Sequence, residues 1–364
     1  MEISKVDLYR YELPLTTPLQ LGTSTVKHRR GLLLRVGTEQ GTAGWGDAPP
    51  LPGFSDESLS DVVAWACEVA PRWIGMEIPN GTEALDRSLA AFSLDSACPA
   101  SLRFAVEGAI TELLAALRGT SMAAVLGTPR PTVALNALLM CLDEGAAEAA
   151  RYWEQGYRAL KVKVGREEME KEVDALRKIR RELGDGMALR ADANRAWSLD
   201  EAVAFAEATR DVDLAYVEEP LADPARLSDL TAQTGVPIAL DETTREVEPE
   251  ILRNGPPVSA VILKPTLLGG LRKTQAWSRI AQENGAAPVI SAAYESGIGL
   301  RMLVALAAVG PDIPVGLSTY DRLAADVLCP PLSMTGPTIE VGSVVDSEAS
   351  IDEECLIPID TFSA

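Results

Sequence analysis

From Pro131 onward, short apolar segments that read as β-strands recur at near-regular intervals, with helical stretches in the gaps. They run from Thr132 to Leu138, Ala159 to Val164, Met187 to Asp192, Leu214 to Glu218, Pro237 to Leu240, Ser259 to Lys264, Ala287 to Ser291 and Ile313 to Leu317. Helical spacing fills Glu167 to Leu183, Leu199 to Thr209 and Leu271 to Asn284. Parallel neighbours need a crossover of about a dozen residues or more, and each gap is long enough to supply one. Eight such units predict an α/β fold of the (β/α)8 TIM type. A doubly wound sheet is the structural alternative, but it does not need eight repeats, and no GxGxxG follows the first strand.

The first 125 residues have a different texture. Residues 2–13 and 31–38 read as strands, the second carrying the run Gly31 to Val36, and a third ends at Gly44-Trp45-Gly46. A Pro-rich loop from Ala48 to Phe54 follows, then helical spacing from Ser58 to Ile74 and from Leu102 to Leu117. Strands followed by helices predict a separate α+β unit. The expected organisation is therefore an α+β domain over 1–125, the barrel over 126–328, and a tail over 329–364. The tail is Pro-rich and strand-like at Pro337 to Val341, and is expected to return to the N-terminal unit.

In a barrel, alternate strand residues face the interior, and polar groups at C-terminal strand ends gather on one rim. In Leu160-Lys161-Val162-Lys163-Val164 the apolar residues share the helix-facing side, so both lysines point toward the barrel mouth. The third strand ends with Arg190, Asp192 and Asn194 on one face; the fourth ends at Glu218, the fifth at Asp241 and the sixth at Lys264. Asp192 follows Lys163 by 29 residues, and the next intervals are 26, 23 and 23, each one βα unit long. The sequence thus predicts Lys, Asp, Glu, Asp and Lys converging on one rim. Glu219 and Glu242, beside two of these, read as helix-capping or first-turn charges.

Three carboxylates on adjacent strands repel one another unless cations intervene, and an all-oxygen set favours Mg2+. The fitting chemistry is removal of a proton next to a carboxylate, where a Lewis acid and a neighbouring ammonium stabilise the dianionic product. A lysine base then needs its pKa lowered from about 10.4 toward 7 or 8.

Composition removes competitors. The only histidine is His28, inside the basic run Lys27 to Arg30, where it reads as solvated, so two-histidine zinc hydrolysis is excluded. A net charge of -20 opposes binding to nucleic acid or anionic membranes. No apolar run is long enough to span a bilayer and no signal-peptide core opens the chain, so a cytoplasmic protein is expected. Cys67, Cys98, Cys141, Cys329 and Cys355 lack any close pairing and read as buried packing thiols.

With the KxK, DxN, EEP, DE and KP motifs in order, the sequence resembles the enolase superfamily in its muconate-lactonizing subgroup, whose N-terminal unit is a capping domain completed by the tail. Within it, 192–197, 44–55 and 261–269 are most similar to the o-succinylbenzoate synthase family. The resemblance implies a Mg2+-dependent carbon–oxygen lyase, with Mn2+ as a substitute, acting on a small carboxylate in menaquinone or phylloquinone biosynthesis. It implies Asp192, Glu218 and Asp241 as metal ligands, Lys163 as acid and base, Lys161 as its partner, and Lys264 on the opposite face. It also implies substrate contacts at Asn194, at Leu19, Gly22, Pro52 and Phe54 of the capping loops, and at Ser291, Glu295, Gly316, Ser318 and Thr319. The strand-seven motif Ser291-Ala292-Ala293-Tyr294-Glu295 carries fewer hydroxyls than some members have. The Asp-x-Asp that dipeptide epimerases carry after strand eight is replaced by Gly316-Leu317-Ser318-Thr319. An N-succinylamino acid racemase uses the same lysines and is the alternative reading; a non-catalytic binding protein is the third. Subunit number is left open.

Overall fold

The unbroken apolar run at Gly31 to Val36 is explained by a strand covered on both faces. Strands β1 (Ile3–Leu21), β2 (Ser24–Thr38) and β3 (Ala43–Ala48) form an antiparallel sheet. On one face Leu32, Leu34 and Val36 pack with Leu102, Ala105, Ala109 and Leu113 of the helix Ala100–Arg118. On the other, Leu33 joins Tyr11 and Leu13 in the core cluster that continues into the barrel. Gly44 and Gly46 are required by this packing: a Cβ at either would fall on a helix carbonyl, of Ala109 or Ala105. The computed structural model describes residues 1–21, 24–78, 85, 87, 92, 94, 97–142 and 144–364.

The repeat from Pro131 forms β4 (Thr132–Ala134), β5 (Ala137–Leu139), β6 (Ala159–Lys163), β7 (Ala188–Asp192), β8 (Tyr216–Glu218), β9 (Ile238–Leu240), β10 (Ala260–Leu263) and β11 (Ala287–Ile290). Strands β5 to β11 make one curled parallel sheet in chain order. The expected eighth strand, Ile313 to Leu317, is not a regular strand. It joins its neighbours only through parallel bridges, Val315 with Leu135 and Gly316 with Ser291, which still close the ring. Pro311 and Pro314 remove ladder donors, and the Pro314 carbonyl accepts from the Arg190 guanidinium at 2.8 Å instead. Such βα alternation also explains the buried, apolar outward faces: Leu160, Val162 and Val164 are at most 1% exposed.

The first predicted barrel strand is split. Thr132–Ala134 lies outside the parallel sheet and pairs antiparallel with Thr338–Glu340. The tail segment at 337–341 therefore returns to the barrel, where it covers an otherwise open edge, and not to the N-terminal unit. Leu356–Ser363 is the part that returns there, adding a fourth strand beside β1. Among the described residues no helix is long and apolar enough to cross a membrane. Among the described residues no cysteine is in a disulfide, and Cys141 and Cys329 are exposed, so those two are not packing residues.

Buried carboxylates at helix N-termini join the two parts. Glu107, on the helix Ala100–Arg118, accepts the backbone N–H groups of Leu271 and Arg272 at the start of the helix Leu271–Glu283. Gly270 makes room for it, with φ of 97° and no Cβ to meet the carboxylate. Asp47, at the end of β3, accepts from Tyr11 at 2.8 Å and from the Ser296 hydroxyl and N–H at 2.7 and 2.9 Å, ahead of the helix Gly297–Val309. Burial raises both carboxyls, Asp47 to about 6 and Glu107 to about 7, against the pull of the helix N–H donors.

A raised folded pKa means that the folded state binds the proton more tightly than the unfolded chain. The resulting stabilisation is complete below the unfolded carboxyl range and is lost as pH rises through the folded value. Glu107→Gln is accordingly expected to gain stability relative to wild type between pH 5 and pH 8, by about 1–3 kcal/mol. Chemical denaturation at the two pH values checks this; a pH-independent difference would contradict it.

Candidate active site

Parallel pairing sets the site residues side by side. Lys163 is level with Asp192, and Asp192 with Glu218. The lysine side chains of β6 are each 16% exposed and point into the ring, as the alternation predicts. Lys161 Nζ donates to Glu218 Oε1 at 2.7 Å and lies 2.8 Å from Asp192 Oδ2. Lys163 Nζ donates to Asp192 Oδ2 and to Asn194 Oδ1, both at 2.6 Å. Across the ring, Lys264 Nζ donates to Asp241 Oδ2 at 2.5 Å and sits 5.8 Å from the centroid of the Phe54 ring. Asn194 Nδ2 completes the rim by donating to Glu242 Oε1 at 3.2 Å.

One layer deeper, Arg190 fills the barrel axis. Its guanidinium donates to Asn136 Oδ1 at 3.2 Å and lies 5.5 Å from the Tyr216 ring centroid. The rim backbone is strained: Asn194, Arg195 and Glu219 have φ of 46°, 62° and 40°. Arg195 is locked by Glu246 at 2.7 and 2.9 Å, Thr243 at 3.0 Å and Glu219 at 3.2 Å. Glu219 itself accepts the N–H groups of Asp241 and Thr243, so it fixes the next strand end from within.

The charges are interdependent. Burial pushes Asp192 up, but the ammonium groups of Lys161 and Lys163 outweigh it and hold the carboxyl below its ordinary range. Asp241 is likewise lowered, by Lys264 and Lys161 against burial. Glu218 goes the other way, raised well above the carboxylate range by burial and by the charge of Asp192. Lys161 and Lys264 respond to these carboxylates. Burial lowers both, but the carboxylates outweigh it and leave both raised. A divalent cation among the same carboxylates would oppose that rise, because it repels the ammonium form.

Among the described residues no group of three Asp, Glu, His or Cys side chains is arranged as a finished metal cage. The ammonium groups of Lys161 and Lys264 lie against the carboxylate oxygens. The donor set nevertheless suits a hard divalent cation: Asp192, Glu218 and Asp241 offer only carboxylate oxygens, from three adjacent strand ends. Two buried oxygens, Glu218 Oε2 and Glu242 Oε2, have no hydrogen-bond partner among the described residues.

The predicted substrate contacts separate into groups. Phe54 reaches Lys264. Leu51 beside it packs with Leu267 and Ala293, with Phe54 and Tyr294 against the cluster, whereas Pro52 is exposed. Ser291 donates to the Gly316 carbonyl at 3.3 Å and Ser318 to the Asn136 carbonyl at 3.4 Å, at the closure of the ring. Thr319 Oγ1 is buried and has no hydrogen-bond partner among the described residues. Glu295 is 2% exposed; it accepts from Thr266, after β10, at 2.5 Å and from the Ala293 N–H of its own loop at 2.6 Å. Leu19 is half-buried on β1 opposite Val26, and Gly22 lies outside the described residues. His28 is exposed, 3.4 Å from Glu12. The motifs did not single out Glu242 as a rim acceptor or Tyr294 and Arg29 at the mouth. The adjacency of Glu242 to Asp241 was the one signal for the first.

The sequence matches the family described as Enolase C-terminal domain-like over residues 144–344 and the MenC N-terminal domain over residues 3–98. It is 30% identical to o-succinylbenzoate synthase of Pasteurella multocida (strain Pm70) over 98% of each chain. Its fold is similar to a dipeptide epimerase from Enterococcus faecalis V583 complexed with Mg and L-Leu-L-Tyr (TM-score 0.83, 23% identity, 96% of this chain and 100% of that one). It is also similar to the N-succinyl Arg/Lys racemase of Bacillus cereus ATCC 14579 (TM-score 0.82, 17% identity, 99% and 100%).

Glu218→Gln and Glu219→Gln should part company. The first should weaken Mg2+ binding by about tenfold or more in titration calorimetry, while the second should keep binding within a few fold and lose about 1–3 kcal/mol of stability. Equal loss of Mg2+ binding in both would remove the distinction between rim ligand and internal tie.

Proposed function

The chain belongs to the enolase superfamily, and on that premise we propose that it is a Mg2+-dependent dehydratase converting 2-succinyl-6-hydroxy-2,4-cyclohexadiene-1-carboxylate to o-succinylbenzoate. The observation that carries this reading is the placement of two lysines, on the second and sixth strands, on opposite sides of a ring with Asp192, Glu218 and Asp241 between them. Those three carboxylates would hold the Mg2+, which supplies Lewis-acid stabilisation of the substrate carboxylate as its α-proton leaves.

Lys163, at the mouth, takes the proton α to the carboxylate. The C–H electron pair passes into an enediolate whose oxygens accept from Lys161 as charge develops, and it enters the ring π-system as the hydroxyl leaves. Lys163, now protonated, delivers the same proton to the departing hydroxyl on the same face. The C–O bond breaks, water leaves, and the ring becomes aromatic with no external oxidant or reductant. Lys264 faces the ring from the other side, as an ammonium beside Phe54 that stabilises the electron-rich intermediate. The identity shared with a curated o-succinylbenzoate synthase over nearly the whole chain supports this reaction over its relatives.

The second reading is an N-succinylamino acid racemase, in which Lys163 and Lys264 remove and return the proton from opposite faces. Both lysines are present at the rim, and a racemase shares the fold. No acidic pair follows strand eight to hold a substrate ammonium, which disfavours the dipeptide epimerases.

Loss of substrate absorbance by purified protein, with and without Mg2+ or Mn2+, run beside racemisation of an N-succinyl amino acid, separates the two. Metal-dependent dehydration with slow racemisation is expected; fast racemisation alone would move the assignment to the racemase. Lys163→Ala should lose roughly 10³-fold or more of kcat while keeping Mg2+ affinity. A variant retaining a tenth of the activity would sink the acid-base role.

A further inference from the structure

The Pro-rich loop Ala48 to Phe54 crosses the barrel mouth with few backbone donors of its own, because Pro49, Pro50 and Pro52 have no N–H. Its fold is local and spare: Phe54 and Ser55 donate to the Leu51 carbonyl, and Ser55 Oγ accepts from the Leu51 N–H. Facing it, the loop after β11 holds Tyr294 at φ of 64°, a left-handed conformation that a non-glycine residue adopts only when its surroundings impose it. Nothing in either loop's own backbone bonding joins it to the other.

Besides the Asp47–Ser296 bonds at their flanks and the apolar contacts of Leu51 and Phe54 with Ala293 and Tyr294, the polar link between them is Arg29, on β2 opposite Leu13. Although it belongs to the basic run Lys27 to Arg30, its side chain is 1% exposed. Its guanidinium donates to the carbonyls of Pro49 at 2.6 Å and Pro50 at 3.0 Å on one side. On the other side it donates to those of Tyr294 at 3.0 Å and Ala293 at 3.5 Å. A buried cation bonded to neutral carbonyls is costly, and the charge that offsets it is the nearby buried carboxylate of Glu295, which the Arg29 guanidinium favours in its ionised form. The planar fork is what lets one side chain reach two chain segments about 240 residues apart, a geometry that a lysine ammonium cannot reproduce. Just beyond these bonds, Leu51, Phe54, Leu267, Ala293 and Tyr294 form the apolar wall beside Lys264.

We propose that Arg29 is a positioning residue that fastens the Pro49 to Phe54 loop to the Ala293 to Tyr294 loop and thereby shapes an apolar wall for the face of a cyclic carboxylate on the Lys264 side. Arg29 touches neither substrate nor reacting atoms. It acts through Phe54 and Tyr294, whose rings take their places from the carbonyls it holds. The inference rests on the reading above for the identity of the bound ring, and not for the fastening itself.

Arg29→Lys and Arg29→Met test it by two independent readouts. Amide hydrogen exchange should accelerate in 49–55 and 291–296 while the β1–β2–β3 sheet keeps its protection. With whichever substrate the wild type turns over, KM should rise by about tenfold or more while kcat stays within about threefold, since binding contacts and not the lysines are disturbed. Exchange that rises equally through the whole sheet, or an unchanged KM in both variants, would overturn the proposal. If the wild type turns over neither the cyclohexadiene carboxylate nor an N-succinyl amino acid, the functional reading fails and the exchange arm alone decides the fastening.

Discussion

Three carboxylates placed side by side on adjacent parallel strands are the constraint around which this molecule is arranged. At such spacing, and fully buried, Asp192, Glu218 and Asp241 destabilise one another unless positive charge reaches them. The chain supplies Lys161, Lys163 and Lys264 from the flanking strands, and each ammonium lies 2.5 to 2.8 Å from a carboxylate oxygen. The same array sets the charge of the ring, with Asp192 and Asp241 held low and Glu218 pushed high. Stability therefore depends on one set of contacts, and among the described residues Glu218 Oε2 and Glu242 Oε2 are buried oxygens of the rim without a hydrogen-bond partner.

A second principle joins the N-terminal sheet to the barrel. Carboxylates on one part seek helix N-termini on the other: Glu107 meets the helix at Leu271 and Asp47 meets the helix at Gly297. Each satisfies orphan backbone donors and adds the favourable field of the helix dipole. Arg29 does the converse, offering donors to orphan carbonyls. The junction is thus polar and buried, and its bonds have direction. That fixes where the capping loop comes to rest over the rim far more narrowly than an apolar contact of equal area would.

Much of this was legible in the sequence, because the information was local or periodic. Alternation along β6 put Lys161 and Lys163 inside the ring and Leu160, Val162 and Val164 against the helices. The spacing of one βα unit placed Asp192, Glu218 and Asp241 on neighbouring strand ends. The errors have physical causes. Prolines broke the ladder at Ile313 to Leu317, where Arg190 replaced a backbone donor. The Thr132 to Leu138 strand divided because its first residues found a partner in the tail.

The sequence by itself determined the fold and the chemical inventory of the rim, since strand alternation and repeat length decide which side chains reach the mouth whatever their partners. Only the tertiary structure decided how the groups were shared: which ammonium met which carboxylate, that Phe54 lay beside Lys264, and that Arg29, one basic residue among four, was the buried one. Those outcomes depend on contacts between segments up to 265 residues apart, made when the barrel closes and the capping sheet docks on it. No local period encodes which carbonyl a distant guanidinium will find.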